Sequence, residues 1–469
     1  RFDRIKKENP NFVEIAGDAA FRSTAGRKKD EPGDSGISGR PARGAARWIP
    51  LSSARARREK IRIGLPRVLN FYSTAPFFVG YLESAGVPFR NIVFSTEPGN
   101  KMYKEGSRRG SIDQCFPSKA VISHVHQLIQ SSGKKGKGLD LIFFPALMNL
   151  QSALTNTLSS QACPTVSATP SVVKAAFTKE GDLFAEKGIR FADPIMHMAE
   201  PALLDREMWA FWRPVIRLSR KEHQAAISAG WRAMDRFANE VQRAPARALL
   251  DRIETEGRVG VVLLGRPYHN DPGLNHEILT EIQKRGYPVF TMDSLPTDAD
   301  LLNRFFGEEV KAGAIKDPMD ITDVWKNAYS ANSSWKIWAA KFTARHPNLA
   351  AVDLSNFKCG HDAPIYDVVE SILEATATPY FSFHDIDENR PAGSIKIRIE
   401  TIDYFLRRYE EGLRREKSLE AELEERVQAY RAERFSSLFL TENDLKEIEM
   451  LSPAANPSGA GRRSKERSG

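Results

Sequence analysis

The chain has 469 residues, 41% of them hydrophobic and 27% charged. That composition is ordinary for a soluble globular protein, and the length suits two to three domains. No apolar run reaches the roughly 18 residues of a spanning helix, and the start, Arg1-Phe2-Asp3-Arg4, has no hydrophobic stretch, so neither a membrane span nor a secretory signal is expected. The formal net charge is +8, but residues 1–60 carry +7 and residues 452–469 carry +3, leaving the body at −2. Solvated basic flanks are expected, not a nucleic-acid-binding face.

The chain opens without Met, as a fragment or processed product would. Residues 1–58 read as a mostly irregular basic segment, with a short ordered piece at 11–15. A first α/β domain is expected over 59–200. Its strand at 61–65 is followed by a helix at 74–85 that stops at Gly86, then a strand at 91–95. A helix at 117–129 carries Val121, Val125 and Leu128 on one face. A continuous apolar strand at 140–145 has the character of a buried parallel strand. Cys163 opens a further short strand, 170–177 reads as helix, and 181–255 as mainly helical, with a helical connector over 201–256.

A second α/β domain is expected over 257–400. The strand at 259–264 runs into the polar turn Gly265-Arg266-Pro267-Tyr268-His269-Asn270-Asp271, followed by a helix at 275–284 and a strand at 287–291. A Trp-rich helix at 323–344 precedes a strand at 349–354, a helix at 365–375 and a strand at 379–383. C-terminal helices follow over 401–451, and 452–469 reads as a disordered tail. Leu419, Leu423, Val427 and Tyr430 recur at helical spacing. A packing helix with a charged outer face is expected there rather than a coiled coil, because the stripe lasts under three heptads. Alternating strands and helices give an α/β fold with doubly wound parallel sheets.

Three cysteines occur, Cys115, Cys163 and Cys359, spaced by 48 and 196 residues. An odd, widely spaced set is no secreted disulfide framework, and a reducing cytoplasmic location is expected. Each thiol lies at a predicted strand exit or helix start, where open α/β sheets place their ligand sites. N–H groups at such loops stabilise thiolates and cluster sulfides. Spacing alone also leaves scattered structural thiols, zinc with His124, His126, His269, His276 or His361, or a Cys/His nucleophile. No Cys-x-x-Cys occurs. Gly133-Lys134-Lys135-Gly136-Lys137-Gly138 lacks phosphate-loop spacing and precedes a strand, so this chain itself is not expected to bind ATP. Arg67, Arg266, Tyr268, His269 and Asn270 follow predicted strands and are candidates for lining a pocket; a hydrogen-bonded turn is the plainer reading.

Five segments in order resemble the acyl-CoA dehydratase activase-related proteins, large relatives of 2-hydroxyglutaryl-CoA dehydratase and its activator. They are Ile63-Gly64-Leu65-Pro66-Arg67-Val68-Leu69-Asn70, Cys115-Phe116-Pro117-Ser118-Lys119, Gly265 through Pro272, Cys359-Gly360-His361-Asp362-Ala363, and Asp385 through Asn389 with Arg398-Ile399-Glu400-Thr401. The resemblance covers about residues 58–410. It implies two Rossmann-like domains facing a shared cleft. It also implies a [4Fe-4S] cluster held by Cys115, Cys163 and Cys359. An ATPase activator module, upstream in cis or separate, and a CoA-thioester substrate are the implied partners. The basic 16–58 stretch and the Lys-rich loop depart from the family pattern.

Overall fold

The computed structural model describes residues 2–24, 51–96, 114–131, 138–387 and 392–437. The expected 452–469 tail, residues 25–50 of the basic segment and residues 133–137 of the Lys-rich loop lie outside them. Arg1–Glu411 form one compact unit and Gly412–Gly469 a second.

The strands are β1 (Ile63–Leu65), β2 (Ile92–Phe94), β3 (Leu141–Phe143), β4 (Ala146–Asn149), β5 (Arg190–Ala192), β6 (Ile195–His197), β7 (Gly260–Leu264), β8 (Val289–Thr291), β9 (Leu349–Leu354) and β10 (Tyr380–Phe383). One sheet runs β2-β1-β3-β5 and another β10-β9-β7-β8, with β4 and β6 as a separate pair. All these pairings are parallel. The α/β expectation is therefore met by parallel sheets with many helices. Counted within itself, each four-stranded sheet has the order 2-1-3-4. The chain direction across the sheet reverses between β1 and β3 in one, and between β7 and β9 in the other. Such switch points are where open sheets place ligands.

Continuous apolar runs form β1, β3, β7, β8 and β9 because both sheet faces are covered, so every residue of these strands is buried. Over the first sheet, Phe78 meets Phe143 edge-on at 5.5 Å and Phe143 lies 4.9 Å from the Trp212 ring. The helix Phe71–Ser84 supplies Phe78 and packs on the helix Arg220–Arg236 through Gly80 and Gly230. A Cβ on Gly80 would stand 2.7 Å from that of Ala233, and one on Gly230 2.8 Å from the Phe77 carbonyl oxygen. Over the second sheet, Val262, Leu264, Phe290, Phe306, Trp338 and Phe342 belong to one buried cluster.

Several local expectations are corrected. Residues 2–24 are not irregular: helices Phe2–Glu8 and Phe12–Ala19 form, the second capped by the Asn11 side chain. Phe12, Val13 and Ala16 are buried. Phe12 stacks on Phe290 at 5.8 Å, and the Val289 N–H donates to the Pro10 carbonyl at 3.0 Å. This apolar face is short and embedded in basic sequence, which hid it. Leu51–Lys60 is also helical.

Cys163 opens a helix, Pro164–Thr178, not a strand; Pro164 at the first helical position is preorganised for that start. The helix expected at 275–284 begins only at Ile278, because His276 and Glu277 are left-handed, with φ of 53° and 61°. The Trp-rich helix begins at Ala331 rather than 323. Strands β5 and β6 interrupt the stretch expected to be mainly helical.

The stripe Leu419, Leu423, Val427 and Tyr430, on the helix Ala392–Ser437, is 40–59% exposed. It is not the packing face that was expected. Among the described residues, no helix is long and apolar enough to cross a membrane.

Candidate functional site

The second switch point is built from ions. Beyond β7, Gly265 permits a tight turn: a Cβ there would lie 2.7 Å from His269 Nδ1. Instead His269 Nδ1 accepts the Arg266 N–H at 3.0 Å. Arg266 is 2% exposed, and its Nη2 donates to Asp362 Oδ1 at 2.6 Å and to Ser333 Oγ at 3.0 Å. Its Nε and Nη1 have no partner among the described residues. Asp362 follows β9 and accepts from Ser355 at 2.9 Å, whose hydroxyl accepts from Tyr366 at 2.7 Å.

Lys336, on the helix Ala331–Arg345, lies 2.5 Å from Asp353 Oδ1 and 3.5 Å from Asp362 Oδ2. His384, beyond β10, lies 3.3 Å from Asp353 and stacks on Tyr366 with ring centres 3.7 Å apart. Two cations thus balance two carboxylates in a buried site. Burial alone would push the Asp362 carboxyl up, but Arg266 and Lys336 hold it well below the usual range. Burial likewise opposes the charge on Lys336, yet Asp353 and Asp362 leave its pKa raised.

The three cysteines are free and half-buried. Cys359 sits in the turn after β9, where its carbonyl oxygen accepts the Asp362 and Ala363 backbone N–H groups at 3.2 and 3.1 Å. Burial raises this thiol's pKa, opposed first by Arg266. Cys115 immediately precedes the helix Phe116–Ser131, with its Sγ 3.6 Å from Ser118 Oγ. Ser118 in turn accepts from Thr169, at 3.2 Å, on the helix that Cys163 caps.

Contacts also join the cysteine-bearing segments to one another. Gln161, two residues before Cys163, bridges to Ser330, whose hydroxyl lies 2.9 Å from His361 Nδ1, two residues after Cys359. Tyr268 is 5% exposed. Burial pushes its hydroxyl pKa far up, Arg266 opposes, and both Cys359 and Cys115 add to the rise. Thiols from the two halves of the chain therefore act electrostatically on one buried phenol. Among the described residues, no group of three or more His, Cys, Asp or Glu side chains is placed to hold a metal ion.

Residues 62–295 match the family model described as CoA enzyme activase uncharacterised domain. The chain is an acyl-CoA dehydratase activase-related protein. No curated protein matches it. The matched span of this activase-related chain contains Cys115, Cys163 and the Arg266 turn; Cys359, Asp362 and Lys336 lie beyond it.

Beyond the first sheet of the activase-related domain, the Arg67 N–H donates to Ser95 Oγ at 2.8 Å, and Ser95 lies 2.8 Å from His124 Nδ1. Tyr72 donates to Asp271 at 2.9 Å, and His124 Nε2 stands 3.9 Å from that carboxylate. Burial, with help from Arg67, pushes His124 down to about 3. Of the pocket candidates, Arg266, Tyr268, His269 and Asn270 are buried, and Arg67 is partly exposed with its guanidinium over the Phe21 ring.

Sequence reading missed Lys336, Asp353, Asp362 and Tyr72 as site residues, whereas Asp271 belonged to the polar turn it singled out. One signal was available: Asp353 interrupts the apolar run Leu349-Ala350-Ala351-Val352-Asp353-Leu354, and a charge in a fully buried strand needs a partner.

Proposed function

We propose that this chain is the iron–sulfur component of an ATP-coupled, low-potential electron-transfer system, with Cys115, Cys163 and Cys359 as thiolate ligands of a [4Fe-4S] cluster. The observation that carries the reading is the Gln161–Ser330–His361 link, which joins the segments that bear Cys163 and Cys359. The donor chemistry fits: Cys115 and Cys163 each stand at the start of a helix, where free N–H groups give the support that thiolates and cluster sulfides need. A cluster is larger than one ion, so its thiolates stand further apart than ligands gathered on a single metal.

Bound there, the cluster would supply one-electron chemistry and an iron without a protein thiolate. The chain's own groups have simpler tasks in this reading. Arg266 acts on Cys359 with fixed positive charge, Asp362 and Ser333 orient it, and buried Tyr268 keeps water from the Arg266 turn. The two sheets are read as Rossmann-like halves around this centre, and the location as cytoplasmic. The ATPase activator module, in cis or in trans, is the electron source, and a CoA thioester is the substrate class.

Anaerobic reconstitution with iron and sulfide tests the reading. Bound iron and sulfide are expected, with an electron paramagnetic resonance signal on reduction that Cys115→Ser, Cys163→Ser or Cys359→Ser alters or removes. Iron-free protein with all three thiols intact would overturn it.

A further inference from the structure

A cavity of about 940 Å³ lies beside the Arg266 network without including any cysteine. Its wall takes in Pro267, next to Arg266, and Asn332, next to Ser333. The volume falls within the range of small-molecule sites, roughly 300–1,000 Å³. One wall is the π-helical segment Phe237–Arg243, a widened turn of the kind that often marks functional sites.

Two opposite charges face this space. Arg243 Nη1 donates to Asn239 Oδ1 at 3.3 Å, and Asn239 Nδ2 donates to Asp235 Oδ1 at 2.8 Å. This relay along one helix face holds the guanidinium by one end and leaves Nε without a partner among the described residues. Asp293 and Trp335 line the same cavity, close enough for Arg243 to act on the carboxylate electrostatically. Burial raises the Asp293 carboxyl's pKa, and Arg243 and Trp335 oppose that rise only in part. No ion pair within 4.0 Å joins Arg243 to Asp293. The Trp335 ring is fixed by stacking on Trp338, with centres 4.5 Å apart. Both side chains are half-buried, and an arginine and a carboxylate that line one cavity without an ion pair between them can each take an opposite charge from a ligand.

We infer that this cavity binds a small zwitterion of the α-amino-acid type, its carboxylate on Arg243 and its ammonium on Asp293 against the Trp335 face. A zwitterion satisfies both charges and leaves the cavity's net charge unchanged, which neither a simple acid nor a simple amine does. Asp235 sits at the exposed mouth, where solvent screens it. The site is independent of iron, so its test stands or falls separately from the cluster.

The probes are L-phenylalanine, L-leucine and L-glutamine, titrated calorimetrically into the full chain. At least one is expected to bind. For that one, the N-acetyl acid and the amino amide are expected to bind at least about tenfold more weakly, the scale of one lost charge-assisted hydrogen bond. Arg243→Gln and Asp293→Asn should each weaken binding by a similar factor. Arg243→Lys and Asp293→Glu, which keep the charge, should retain more binding and guard against a folding defect. The inference is overturned if none of the three binds at millimolar concentration. It is equally overturned if blocked derivatives bind as tightly as the parent, or if the charge-removing variants bind within twofold of the unaltered chain.

Discussion

The first and second four-stranded sheets share one strand order, yet their strand exits are furnished in opposite ways. Beyond β1 and β2, a backbone N–H, the Ser95 hydroxyl and a neutral His124 lead to Asp271, with Tyr72 as its donor. Beyond β7 and β9, a guanidinium, an ammonium and two carboxylates are closed off from water. Hydrogen-bonded neutral groups are inexpensive to bury, whereas ions are tolerated only as a balanced set. The same topology thus makes a quiet joint on one side and a strongly polarised cradle on the other. Cys359 belongs to the polarised side, where Arg266 works against the burial that would keep its thiol protonated.

Breaking the charged set should have the largest effect. Asp362→Asn leaves Arg266 and Lys336 facing one carboxylate, and a loss of about 3–5 kcal/mol is expected, as for other broken buried pairs. Asp271→Asn keeps an acceptor for Tyr72 and should cost only about 1–2 kcal/mol. Urea titrations of both variants, compared through midpoint and slope, check the contrast; equal losses would abolish it.

Acid should act on both exits alike. Burial pushes His124 and His269 each down to about 3, against about 6.5 in an unfolded chain. The unfolded state therefore binds more protons in this window, so the stabilising contribution is present above 6.5 and lost as pH falls toward 3. The slope reaches up to about 1.4 kcal/mol per pH unit for each His. His124→Asn and His269→Asn should each flatten the stability profile between pH 6.5 and 4. An unchanged profile would mean that the ring already titrates normally when folded.

The smallest effect is expected at the solvent side of the second sheet. Arg398 pairs with Asp385 at 3.0 Å, both partly exposed. Arg398→Gln should cost about 1 kcal/mol or less, and a thermal melt measures it. A larger loss would show that the guanidinium, which also lies 3.9 Å above the Phe383 ring, closes the β10 exit more tightly than an ion pair can.

The buried strands were legible in the sequence because both faces are covered, which leaves mainly apolar runs at 61–65, 140–145, 259–264 and 349–354. Strands β5 and β6 were not: Arg190 is exposed and Ile195 is 59% exposed, so neither alternation nor an apolar run marks them. Arg266 was visible as a polar residue after a strand. Its partners were not, because Asp362 and Ser333 reach it from 96 and 67 positions away. A local pattern carries no information about pairings set by the order of strands. The Cys163 helix start was misread because Cys-Pro-Thr-Val has strand-like composition, and only the Pro position signals a helix.

The Pro10–Phe12 contact with β8 has one more consequence. In the order β10-β9-β7-β8, β8 is an outermost strand, and Pro10 occupies its Val289 N–H while Phe12 covers Phe290. An uncovered parallel edge is a template for pairing with other chains. Pro10 and Phe12 thus guard that edge at Val289 and Phe290. A chain shortened to start near residue 59 would lose that guard while keeping every strand of both sheets.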